Sequence, residues 1–207
     1  MAERAEGSGD TGTPQLTDLE GVSNVLVMAP AIGAPKTDAC MTLLTQTPPA
    51  RTNVLSVTFV DSPTELVTRW DDVAGSGPAR GGIVAVGQSD AGRTEGEWRV
   101  ATVENPSDLT GIGIELSELL SRMAESADDD EPIVVCFDSI TSLLQYADLQ
   151  RTFRFLHVVT GRVKTVGGVG HFHVDPEAHS NQDIATLKGL FDAVVEVDDE
   201  GELAITR

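Results

Sequence analysis

The sequence predicts an α/β domain: a mostly parallel central sheet with helices on both faces and a C-terminal β-hairpin. Three observations predict it. Short β-rich apolar runs alternate with longer segments of helical spacing, the pattern of β-α-β units. Two of those runs, NVLVM at 24–28 after its leading Asn and IVVCF at 133–137, are continuously apolar, as expected of strands covered on both faces. The chain has 207 residues, enough to bury one core without disulfides or metal.

The elements follow in order. Residues 1–18 are rich in Gly, Ser, Thr and acids and lack a hydrophobic period, which predicts a disordered acidic tail before one domain at 19–207. Asn24–Met28 reads as the first strand, and small residues and prolines make Ala29–Pro35 a loop. A helix is expected from Lys36 to Gln46, then a strand at Asn53–Val60. Asp61-Ser62-Pro63 starts the next helix, near Pro63–Val73, with Asp61 as its cap and Pro63 at its first position. Gly75–Arg80 is a loop; Gly82–Val86 and Arg99–Val103 are short strands. A helix of about 108–126 carries Leu109, Ile112, Leu116, Leu119, Leu120 and Met123 at helical spacing. After the acidic turn Asp128–Glu131, the strand Pro132–Phe137 ends at Asp138, and Ser139–Leu144 is a loop or short turn. A helix at about 148–164, a Gly-rich strand at Val166–Val174, a helix from Ser180/Asn181 to Phe191 and a hairpin of Ala193–Val197 with Glu202–Thr206, turned at 199–201, complete the chain.

Fourteen Lys and Arg stand against 33 Asp and Glu, a formal net charge of −19, and only Lys36, Lys164 and Lys188 are lysines. Dispersed acids with scarce lysine fit a salt-accumulating cytoplasm, where heavy charge keeps a protein in solution; an acidic surface that mimics or repels nucleic acid is the functional alternative. No basic patch of the kind nucleic-acid binding needs is visible. No run of ~18 apolar residues predicts a membrane span, and the polar N-terminus does not read as a secretory signal. Two cysteines, Cys40 and Cys136, lie among apolar residues and read as buried small side chains of a cytoplasmic protein.

Two stretches carry chemistry. A phosphate-binding loop reads G-x-x-x-x-G-K-[ST] between a strand and a helix; its lysine reaches the terminal phosphates, its hydroxyl holds Mg²⁺ and its N–H groups cradle the anion. Lys36-Thr37 occupies the matching place in NVLVMAPAIGAPKTDACMTLL, but both motif glycines are replaced, by Pro30 and Pro35. Proline has no N–H and a fixed φ, so Pro35 removes a donor beside the lysine, although it also suits a helix start. Gly33 and Ala34 keep the loop slim. The second stretch, IVVCFDSITSLL at 133–144, ends an apolar strand on Asp138, either a Mg²⁺-holding carboxylate of the Walker-B kind or the cap of a turn. A third group, His171, His173, Asp175, Glu177 and His179, contains two imidazoles on one face of a strand. The cysteines lie far away in sequence and the spacing fits no recognised zinc pattern, so these read as ordinary strand and loop histidines. Arg151, Arg154 and Arg162 share one helix and read as solvated charges.

With these stretches in place, residues 20–206 resemble the RecA-superfamily ATPases of the KaiC/GvpD-like branch, and more narrowly the small haloarchaeal RecA-like proteins of unknown function. The likeness rests on the two stretches above, on VLSVTFVDSPTELVTRW and on VGGVGHFHVDPEAHSNQDIATLKGLFDAVVEV. It implies a P-loop NTPase fold in which ATP or ADP with Mg²⁺ would meet Gly33, Ala34, Lys36 and Thr37, with Thr37 and Asp138 on the metal. The family has paired glutamates where this chain reads Val60-Asp61, so Asp61 is the only candidate base, one methylene shorter. The resulting expectation is a degenerate domain acting as a nucleotide-responsive or scaffolding regulator with weak or no hydrolysis. The alternatives are an active ATPase with an unorthodox loop and a ligand-free interaction module. A protein partner and a homo-oligomer are the expected associations.

Overall fold

The computed structural model describes residues 19, 21–30, 34–88, 98–128, 131–198 and 200–207. The tail at 1–18 and Gly33 lie outside these. The elements run β1 (Asn24–Met28), α1 (Ala34–Leu44), β2 (Asn53–Thr58), α2 (Pro63–Ala74), β3 (Arg80–Val86), β4 (Trp98–Val103), α3 (Leu109–Ser126), β5 (Ile133–Asp138), α4 (Ile140–Leu143), α5 (Leu149–Thr165), β6 (Val169–Val174), α6 (Asn181–Lys188), β7 (Ala193–Val197) and β8 (Leu203–Thr206). One eight-stranded sheet has the order β4-β3-β2-β5-β6-β1-β7-β8. Among the described residues every pairing is parallel except β7 with β8, so the α/β class and the closing hairpin are as the sequence predicts. The arrangement is consistent with a Rossmann- or RecA-like sheet.

The two faces of the sheet carry separate cores. On one, Leu26, Leu55, Val135, Phe137 and Phe172 pack with α3 and α5 through Ile112, Leu116, Leu120, Leu156 and Val159. On the other, α1 and α2 cover two smaller groups: Val25, Val27, Ala39, Leu43 and Val195, and Met41, Leu44, Val54, Trp70, Trp98 and Val134. Period-two alternation along each strand sends neighbouring side chains to opposite cores. Buried on both faces, β5 shows no polar–apolar alternation, which is why it reads as an apolar run; β2 is as buried although it carries Asn53, Ser56 and Thr58.

The differences from expectation are local. Helix α1 begins at Ala34, so Pro35 sits in its first turn, where a missing N–H costs nothing. Residues 140–143, expected as loop or turn, form the short helix α4, capped by the Ser139 hydroxyl accepting from the Ser142 N–H. Helix α6 stops at Lys188. Among the described residues, no helix is long and apolar enough to cross a membrane.

Phe137 is the centre of the larger core. It is fully buried and its ring lies 5.7 Å from Phe172, 5.8 Å from Phe59 and 6.1 Å from Phe155. Phe137→Ala is expected to lower stability by ~3–5 kcal/mol, read as a lower denaturant midpoint.

Candidate functional site

The carboxyl ends of β1, β2 and β5 bring the sequence-predicted residues to one end of the sheet, where ligands of open α/β sheets bind. Lys36, in the first turn of α1, and Asp138, the last residue of β5, are 102 positions apart in sequence. They form an ion pair, Nζ to Oδ1, at 2.7 Å. Both side chains are largely covered, at 19% and 27% exposure, so solvent weakens this pair less than a surface one. Thr37 follows Lys36 in the same first turn. The turn of the β7–β8 hairpin comes close as well: a Cβ on Gly201 would lie 3.9 Å from Pro35.

Asp61 lies in the turn after β2, whose last residue, Thr58, is in register with Asp138 of β5. Its expected role as cap of α2 is corrected: the cap is Ser62, in a reciprocal box with Glu65. Ser62 wins because its hydroxyl accepts from the Glu65 N–H while the Glu65 carboxylate accepts from the Ser62 N–H at 2.8 Å and its hydroxyl at 2.7 Å. Asp61 instead binds Arg69 at 2.8 Å through Oδ2, and its carbonyl accepts from Thr58 and Gln88. One oxygen of the Asp61 carboxylate is thus held by a guanidinium.

A feature the sequence reading did not assemble lies on the α1 face of the sheet. Helix α1 packs against both β5 and β7, and so crosses β6 and β1 between them. Strand β6 presents His171 and His173 on one face, and Phe172 goes to the opposite core. Cys136 of β5 is in register with His171, and Cys40 descends from α1. The two sulfurs are 3.4 Å apart, and Cys40 Sγ is 3.5 Å from His171 Nε2. One ligand atom from each of the four residues fits within a 4.8 Å span. His171 and His173 are each 1% exposed, and neither nitrogen of His173 has a hydrogen-bond partner. The hydrogen bond with Cys136 draws the Cys40 thiol well below the ordinary thiol range, despite burial, and both histidines add to this. The same bond and burial push Cys136 well above it. Burial lowers His171, favouring its neutral form. His179, by contrast, is apart from the cluster and meets the Thr141 hydroxyl at 3.1 Å. Only the His-x-His spacing in a buried strand signalled this group; both cysteines read as ordinary core.

A family model matches residues 22–197, from before β1 to the end of β7. The chain belongs to DUF7504, a family of unknown function. A search of curated proteins finds no match. Among solved structures, the chain is similar to one from Pyrococcus horikoshii OT3, determined as a structural study of Project ID PH0250. The two share 16% identity with a TM-score of 0.55, over 88% of this chain and 85% of that one, a likeness of fold alone. For this DUF7504 chain, function rests on the site's own geometry and not on the fold.

The capping box yields a pH-dependent prediction. The Ser62 backbone N–H, then its hydroxyl, hold the Glu65 carboxyl below the ordinary glutamate range. A value lower in the folded than in the unfolded state means the contribution is complete above that ordinary range. It is lost as pH falls through the lowered value. The melting-temperature gap between wild type and Glu65→Gln is expected to be widest near neutral pH and to close in acid. Ser62→Ala is expected to cost ~1 kcal/mol near neutral pH, measured by denaturant unfolding.

Proposed function

We propose that this chain is a nucleotide-responsive regulatory domain, a degenerate RecA/KaiC-like P-loop fold that binds ATP or ADP with Mg²⁺ and hydrolyses it weakly or not at all. The observation that carries the reading is the Lys36–Asp138 pair, a cation and a carboxylate on separate elements meeting at the strand ends. In this reading each group stands in for the other's ligand. When nucleotide arrives, Lys36 turns to its phosphates, and Thr37 and Asp138 take the Mg²⁺. Breaking a largely covered ion pair costs free energy that the phosphate and metal contacts must exceed. Binding therefore opens a latch between α1 and β5, and that is the nucleotide response.

Weak hydrolysis follows from two departures. Pro30 and Pro35 cannot donate N–H groups to a phosphate cradle. Asp61, engaged by Arg69, is ill placed to take a proton from water, since a base must reach it within ~2.6–3.2 Å. The −19 charge fits a working medium at high salt and supports protein partners, met through acidic faces or a sheet edge, over nucleic acid.

Calorimetric titration of Mg·ATP and Mg·ADP in molar KCl tests this. Wild type is expected to show saturable binding, and Lys36→Ala to weaken it tenfold or more, about 1.4 kcal/mol. Turnover is expected well below the ~1 s⁻¹ at the low end of ordinary enzymes. Absence of binding by wild type would instead make the domain a scaffold that works through its surface.

A further inference from the structure

We propose that Cys40, Cys136, His171 and His173 form a buried tetrahedral site for Zn²⁺ that pins α1 to the centre of the sheet. The geometry suits the ion. Zn–S bonds of ~2.3 Å and Zn–N bonds of ~2.0–2.1 Å at tetrahedral angles put two sulfurs ~3.8 Å apart and a sulfur and nitrogen ~3.6 Å apart. The corresponding separations here are 3.4 Å and 3.5 Å, so small side-chain shifts admit the ion. A disulfide between the same sulfurs needs ~2.05 Å, and both cysteines are free.

Charge and burial agree. Two thiolates and two neutral imidazoles around Zn²⁺ sum to zero, the arrangement that a dry interior tolerates. Binding releases the thiol protons. The independent sign is His173: a fully buried imidazole with neither nitrogen hydrogen-bonded carries an unmet desolvation cost. A metal bond at one of its two nitrogens offsets part of that cost. Cores of apolar residues flank the group on both sides, so the four side chains replace what would otherwise be ordinary packing.

The role follows from the ligand count. Four protein ligands close a zinc site and make it structural, where a catalytic zinc keeps one position open. Position 40 is one helical turn beyond Lys36, on the same side of α1, so the ion fixes the helix that presents the lysine. The site stands whether or not nucleotide binds, and its test uses no nucleotide.

The test is metal analysis of the purified full-length protein, followed by chelation and titration with Zn²⁺ and with Co²⁺. About one Zn²⁺ per chain is expected, with a Co²⁺ spectrum showing the intense tetrahedral d–d bands and the thiolate charge-transfer band of two-sulfur coordination. Zn²⁺ is expected to raise the melting temperature of the chelated protein. Cys40→Ser and His173→Ala should each weaken Zn²⁺ binding by more than the ~10–100-fold that loss of a mere supporting residue costs. His179→Ala should leave it unchanged. If the variants fail to fold, the wild-type Co²⁺ spectrum still decides. Weak octahedral Co²⁺ bands, no stoichiometric Zn²⁺ uptake after full thiol reduction, or undiminished Zn²⁺ binding by folded Cys40→Ser would each overturn the proposal.

Discussion

Neighbouring strands lie ~4.8 Å apart, so a strand inserted between two others fixes how far a crossing helix must reach. Strand β6 sits between β1 and β5, and α1, which leaves β1, has to cross it to touch β5. That crossing makes the Lys36–Asp138 pair, because the lysine at the start of α1 arrives over the end of β5. It also drops Cys40 onto the one face of β6 that carries His171 and His173. The ion pair and the Cys/His cluster are therefore consequences of one topological constraint, and both secure the same helix.

The two tie α1 down differently. The ion pair is partly open to solvent and joins groups that other charges can claim, so a ligand can exchange it. The Cys/His cluster is buried apart from the half-buried Cys40, and in the metal reading it closes around its ion and stays. A helix with a fixed middle and an exchangeable first turn suits a switch that reports ligand without unfolding. On the far face Phe137 links the aromatic cluster, and β5 carries Cys136 toward one face and Phe137 toward the other. A shift of β5 would thus be felt in both cores.

Most of the fold was legible in the sequence because its signals are local. NVLVM and IVVCF mark doubly buried strands, and Leu116, Leu120 and Met123 mark a helix face. Lys36 and Asp138 were legible as separate motif residues; their contact needed the strand order. Asp61 was misread as a cap since Asp and Ser are both good caps and only the reciprocal Glu65 contact separates them. The Cys/His cluster was illegible for a plainer reason. Its members come from α1, β5 and β6, and no spacing rule for zinc links positions 40, 136, 171 and 173. Register between β5 and β6 and the path of α1 create it, and neither is written in a window of residues.

The central claim is that the Lys36–Asp138 pair is a latch that nucleotide opens. A crystal structure grown at molar KCl with Mg·ADP tests this most directly. The account predicts the Lys36 ammonium on the phosphates, Mg²⁺ between Thr37 and Asp138, and the 2.7 Å contact broken. An intact Lys36–Asp138 pair with nucleotide bound elsewhere, or no nucleotide at the strand ends, would contradict it.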